Sequence, residues 1–124
     1  MTSEIDPALA SNILRTVPTQ EAFMFYTNID KYTGKNALSL NDFFEQLMKV
    51  QLKSIAFHFK RRDFERWIRL TLNDKYLANE ISNIDRTMQG EELRIIIYRI
   101  VKKRLDQLKY ILFQRTSTTL FKKD

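Results

Sequence analysis

Glycine and proline are scarce in this chain, with two of each in 124 residues. Sandwiches and barrels need turn residues every few positions, so a chain this poor in them leans towards helices. The apolar spacing agrees. Gly90-Glu91-Glu92 places two carboxylates in a first turn, where the helix dipole favours negative charge. Leu93, Ile97, Val101, Leu105, Leu108 and Leu112 then recur every three or four residues, and Ile96 and Ile100 widen the stripe. A stripe this broad suits the core helix of a globular domain better than a coiled-coil seam.

Shorter helical patterns precede it. Asp6-Pro7 pairs a favoured N-cap with a residue pre-shaped for the first helical position, and Leu9, Ile13, Leu14 and Val17 follow until Pro18 stops the run. Ser39 caps a second helix, with Asp42 near its N-terminus and Leu40, Phe43, Phe44, Leu47 and Met48 or Val50 on one face. A third run holds Phe64, Trp67, Ile68, Thr71 and Leu72. Asn73-Asp74 breaks it and caps a fourth, carrying Leu77, Ile81 and Ile84. Phe23-Met24-Phe25-Tyr26 fits either a strand or a buried helical turn. Thr27 to Asn36 reads as a loop. The expected fold is an all-α bundle of about five helices, with Gly90 to about Phe113 as its spine. Residues 1–113 form one helical domain and residues 114–124 a flexible, polar, basic tail.

With 44% hydrophobic and 12% aromatic residues, the chain has the material for one core and lacks the composition of a disordered segment. The absence of Cys removes disulfides, thiolate nucleophiles, iron–sulfur clusters and Cys-ligated zinc together, and fits a reducing cytoplasm. No run approaches the ~20 apolar residues of a membrane span. The polar, acidic stretch from Met1 to Pro7 does not read as a secretory signal. No integral membrane association and no cofactor are expected. The net charge of +6 favours acidic partners such as nucleic acid.

The most unusual stretch runs from Phe57 to Arg69, where basic residues interleave with aromatics. As a nucleic-acid patch, its cations would meet phosphates and an aromatic would stack on a base. The candidate contacts are Lys60, Arg61, Arg62, Arg66 and Arg69, followed by Arg99, Lys102 and Lys103 on the outer face of the long helix. The plainer alternative puts Phe64, Trp67 and Ile68 in the core and leaves the cations as a solvated face. His58 is the sole histidine. It has no Ser-His-Asp or Cys company and no metal-ligand spacing. Between two phenylalanines it reads as a packed residue hydrogen-bonded to backbone, and catalysis would rest on His58 with Asp63 alone. Gly34 and Gly90 stand alone, so no phosphate-cradling loop exists. Gln114 to Phe121 has the outline of the peptide that docks on the replication sliding clamp, but Ser117 stands where the hydrophobe belongs and the end is Leu-Phe.

Phe25-Tyr26-Thr27, Ala37-Leu38-Ser39-Leu40, Phe43-Phe44, Leu47, Ser54 and Phe57-His58 together resemble a mainly archaeal helical family, domain of unknown function 5752. The resemblance continues through Asp63-Phe64-Glu65-Arg66-Trp67-Ile68, Leu72-Asn73-Asp74, Leu77-Ala78 and Gly90-Glu91-Glu92-Leu93-Arg94, and covers roughly Ala22 to Arg104. It implies a compact helical fold and an archaeal source, and no activity. That family commonly carries Gly before the Asp-Phe pair; here the position is Arg62, and the Lys-rich tail lies outside the shared part.

These observations point to a non-enzymatic binding or adaptor protein with nucleic acid or a nucleoprotein complex as partner. The alternative is a protein–protein module that regulates an enzyme through an apolar groove.

Overall fold

The helix starts follow from their caps. Asp6 accepts the Ala8 amide at 3.1 Å and opens α1 (Pro7–Ile13) with Pro7 in the first turn. Ser39 accepts the Asp42 amide and opens α2 (Leu40–Leu47), while Asp42 reaches back to the Leu38 amide. Asp74 accepts the Leu77 amide and opens α5 (Lys75–Ser82). Between these lie α3 (Leu52–Arg61) and α4 (Asp63–Leu70), and the chain closes on α6 (Gly90–Phe121). This computed structural model describes residues 5–121, with side chains to Gln114.

The all-α expectation is overturned. The segment Phe23–Asn28 is a strand, β1, paired antiparallel with β2 (Lys31–Ala37), so the fold is mixed: 63% helix and 12% strand. The stretch read as a loop is therefore mostly hairpin. Its turn is Ile29-Asp30, without the Asn-Gly or Asp-Gly that marks such turns. β2 exposes every residue but Thr33 and Ala37, so it carries no alternating apolar signal. It is held by its ladder and by the Thr33 hydroxyl, which donates to the Phe25 carbonyl at 2.7 Å. Gly34, at φ 87, allows the irregular backbone inside β2.

β1 alternates properly. Phe23 and Phe25 point into the core and Met24 points out. The Phe23 ring sits among Phe43, His58, Phe64 and Trp67 at centroid distances of 4.8–5.6 Å, within the range where aromatic edges and faces attract. Trp67 is buried as the spacing predicts, and its indole donates to the Glu21 carbonyl at 2.8 Å. On the far side, α6 lays Leu93, Ile97, Val101, Leu105 and Leu108 against the core and packs on α1, α2, α3 and α5. Its backbone stays helical past Phe113, through Phe121. The resemblance to a clamp-docking peptide rests on side chains outside the described residues.

Among the described residues there are six α-helices. The additional one, α3, carries Ile55 and Phe59 with Ser54 and His58 on its buried side, a face half polar in composition. α3 and α4 meet at Arg62, which takes a left-handed conformation, φ 64 and ψ 26. Gly is the residue that adopts that conformation without steric cost.

α6 is tied to α5 by a buried ion pair. Arg104 reaches Asp74 with two guanidinium nitrogens, at 2.8 and 2.9 Å, and lies over the Tyr76 ring. Removing one partner of such a pair strands the other charge in the interior. Arg104→Ala should cost about 3–5 kcal/mol in urea unfolding; a loss below about 1 kcal/mol would show that Asp74 finds water instead. At Arg62, glycine and alanine both delete the side chain, but only glycine relieves the left-handed backbone. Arg62→Gly should be more stable than Arg62→Ala by about 1 kcal/mol, the reverse of the order inside a helix.

Candidate functional site

The basic stretch does not form one continuous helical face. The left-handed turn at Arg62 divides it. Arg62, Arg66 and Arg69 line one small hollow on α4 with Glu65 and the exposed Leu70. Arg61 lines a different hollow, a cleft between the hairpin and α3. Lys60 is exposed at the end of α3 and lines neither. Arg99, Lys102 and Lys103 line a third, shallow depression on α6 with Asp106, Gln107 and Tyr110. The predicted contacts are therefore divided: Arg62, Arg66 and Arg69 share one hollow, Arg99, Lys102 and Lys103 share another, and Arg61 and Lys60 belong to neither.

Most of these cations have carboxylate or amide partners. Arg62 donates to Glu65 at 3.0 Å, Arg66 to Asp63 at 2.9 Å, and Arg69 to the Asn79 amide oxygen at 2.7 Å. Lys102 pairs with Asp106 at 3.1 Å. A guanidinium carries five N–H donors, so each pairing leaves donors for a further anion. Arg62 and Arg66 keep half or more of their side-chain surface accessible, 50% and 58%.

Asp63 and Glu65 are two residues apart, yet both are used. Glu65 is buried and accepts Arg62, with Arg86 3.9 Å away. Asp63 is shared three ways: Oδ2 takes His58 Nδ1 at 2.8 Å and Arg61 Nε at 3.0 Å, and Oδ1 takes Arg66. Burial by itself would raise its pKa; the hydrogen bonds from His58, Arg61 and Arg66 outweigh that and hold the carboxyl below its ordinary value.

His58 is buried with both ring nitrogens engaged. Nδ1–H donates to Asp63, and Nε2 accepts the Tyr26 backbone N–H at 2.8 Å. The second bond needs a lone pair on Nε2, so the ring is neutral and its tautomer is fixed. Burial holds its pKa below 6.5, with Arg61 acting in the same direction, against the raising effect of the Asp63 hydrogen bond and charge. The ring has no nitrogen left to take a proton from a substrate. It joins β1, α3 and α4, as a packed histidine bonded to backbone.

The cleft beside it was not legible in the sequence. Phe23, Met24, Tyr26 and Ile29 come from the hairpin, Phe57, His58 and Arg61 from α3, and Asp63 from the start of α4. Four of its eight lining residues lie in a segment whose strand character the sequence leaves open or reads as a loop. Among the described residues, no three of His, Asp and Glu converge as metal ligands, and no helix is long and apolar enough to cross a membrane.

The sequence matches the family described as "Family of unknown function (DUF5752)" over residues 19–122. The chain belongs to that family. The match runs from the 3-10 turn at Thr19–Glu21 to the end of α6, so family membership covers the hairpin, the His58–Asp63 pair and the basic face of α4 together. No curated protein and no solved structure matches the chain.

The neutral His58 makes the domain sensitive to acid. Because folding lowers its pKa, the folded state resists a proton that the unfolded chain accepts below about 6.5. Its contribution is fully present above that pH and is lost as pH falls through the folded pKa. Asp63, also lowered, loses its contribution at lower pH, below its ordinary 3.8. Thermal melts from pH 7.5 to 5 should show the parent losing stability. His58→Asn should be less stable at pH 7.5 and flat across that window. Equal slopes for the two proteins would remove His58 as the cause.

Proposed function

We propose that the protein is a non-enzymatic binding module whose α4 surface contacts nucleic acid. The observation that supports this reading is the convergence of Arg62, Arg66 and Arg69 on one hollow. Their spacing of four and three residues puts like charges side by side, which costs a few tenths of a kcal/mol per pair on a helix. An anion between them repays that cost, and guanidinium groups match phosphate geometry with two donors each. The overall +6 charge adds a long-range attraction in the same direction. The α6 depression, with Arg99, Lys102 and Lys103 around the exposed Tyr110, is a second contact in this reading, its ring available to stack on a base.

The variants must respect the internal partners. Glutamate at position 62 or 66 would set like charges against Glu65 or Asp63 at the start of α4, so neutral replacements are the cleaner probe. The parent should bind duplex or single-stranded nucleic acid with Kd on the order of 10⁻⁴–10⁻⁶ M and little base preference. Each phosphate contact contributes about 0.9 to the slope of log K against log salt on duplex DNA. Arg62→Gln/Arg66→Gln/Arg69→Gln should therefore flatten that slope by about 2 to 3 and weaken binding at low salt. A parent that fails to bind at low salt, or a triple variant that binds equally well, ends this reading. Binding to a protein partner with a weak salt response would support an apolar interface instead.

A further inference from the structure

The cleft between the hairpin and α3 has the composition of a ligand site that the α4 surface does not explain. Its volume is about 270 Å³, just under the roughly 300 Å³ at which drug-sized ligand pockets begin, and so suited only to a small ligand. Phe23, Met24, Ile29 and Phe57 line it with apolar surface. Met24 and Ile29 leave 40% and 68% of their surface in water, apolar area that an apolar occupant of the cleft would cover.

The charged groups of the cleft have unequal spare capacity. Asp63 already accepts three donors, with both oxygens engaged. His58 has both nitrogens engaged. Arg61 donates Nε to Asp63 and stacks over the Phe57 ring at 5.0 Å, and no acceptor among the described residues takes its two terminal nitrogens. The stacking holds the guanidinium plane at the mouth of the cleft. The unspent valence is therefore a planar pair of N–H donors beside an apolar cavity. A carboxylate fits that pair with two parallel hydrogen bonds. A dianion is disfavoured, because the Asp63 carboxylate lines the same wall. A cation is disfavoured, because Asp63 is occupied and Arg61 repels it.

We infer that this cleft binds a small apolar monocarboxylate, with its hydrocarbon body against Met24, Ile29 and Phe57 and its carboxylate on Arg61. The site is distinct from the α4 hollow, since the two share no lining residue. Its test does not depend on nucleic-acid binding.

The probe is phenylacetate, titrated at low salt and followed by the ¹H–¹⁵N shifts of the Tyr26, Ile29 and Phe57 amides. Acetate lacks the body and phenethylamine reverses the charge. Phenylacetate should give saturable shifts at these amides, with acetate and phenethylamine at least about fivefold weaker. Arg61→Gln should erase the preference for the acid over the amine. Since Arg61 also supports Asp63, a second variant avoids the fold: Met24→Glu, on the outward face of β1, should weaken phenylacetate at least about fivefold and spare phenethylamine. Trp67 fluorescence reports that each variant is folded. No saturable shift up to about 10 mM phenylacetate, equal binding of the amine, or full phenylacetate affinity in Met24→Glu would each overturn the assignment.

Discussion

The constraint on which this fold depends is the need to satisfy the carbonyls at helix C-termini in a chain with almost no glycine. The last four carbonyls of a helix have no intrahelical partner, and glycine in the left-handed conformation is the common way to close them. This chain puts Arg62 and Asn73 in that conformation after α3 and α4, and closes further carbonyls with arginine side chains. Arg94 from α6 donates to the Leu47 and Val50 carbonyls after α2, at 2.7 and 2.8 Å. Arg86 donates to Phe59 near the end of α3 at 2.5 Å and lies over its ring. Arg66 reaches the Arg61 carbonyl, and Arg15 from beyond α1 reaches Thr71 at the end of α4. Each bond both finishes one helix and fastens it to another element, so the caps double as tertiary links. Part of the positive charge that a sequence reading assigns to partners is thus structural.

The same economy governs the hairpin. A two-stranded ribbon is marginal alone in water, and β2 contributes little apolar surface. The hairpin persists because β1 is held from its other side. Phe23 and Phe25 enter the aromatic cluster, and His58 accepts the Tyr26 amide that would otherwise be left unpaired against α3. Asp63 fixes the histidine tautomer that makes this possible. One ring therefore links the strand to the α3–α4 corner, and the corner itself turns on Arg62 in a conformation that costs a non-glycine residue about 1–2 kcal/mol. The ion pairs around it, Arg61–Asp63, Arg66–Asp63 and Arg62–Glu65, hold that corner in place.

What was legible in the sequence was local. The caps at Asp6, Ser39 and Asp74 and the stripe from Leu93 to Leu108 depend on residues a few positions apart, and all stand as their spacing predicts. The hairpin was hidden because β2 is polar on both faces and its turn is Ile29-Asp30. Helix α3 was hidden because a serine and a histidine occupy its buried side. The division of the basic stretch was hidden because a left-handed arginine leaves no mark in composition. Most of the arginine caps were hidden for a different reason: apart from Arg66, whose partner Arg61 is near in sequence, their partners lie 27 to 56 residues away, as with Arg86 to Phe59 and Arg15 to Thr71. Nothing in a side chain's identity says whether its charge will end at a carbonyl or in solvent.

This bears directly on how a partner surface should be sought in such a chain. Counting cations from Lys60 to Arg69 treats five charges as equivalent, but Asp63 sorts them. It draws Arg61 towards the cleft and Arg66 back across the corner, and with His58 as its third donor its charge is spent inward. Glu65, buried on α4 itself, pairs with Arg62, whose side chain stays half-exposed beside it. Asp63 and Glu65 thus fix where these guanidinium groups point as well as offsetting their charge. Two surfaces of different character then emerge from one short stretch: an arginine-lined hollow on α4 and an apolar cleft with a single guanidinium at its mouth. The two differ in the number of unspent donors each offers and in the amount of apolar wall around them, and it is this difference, not the count of cations, on which the two proposed ligands rest.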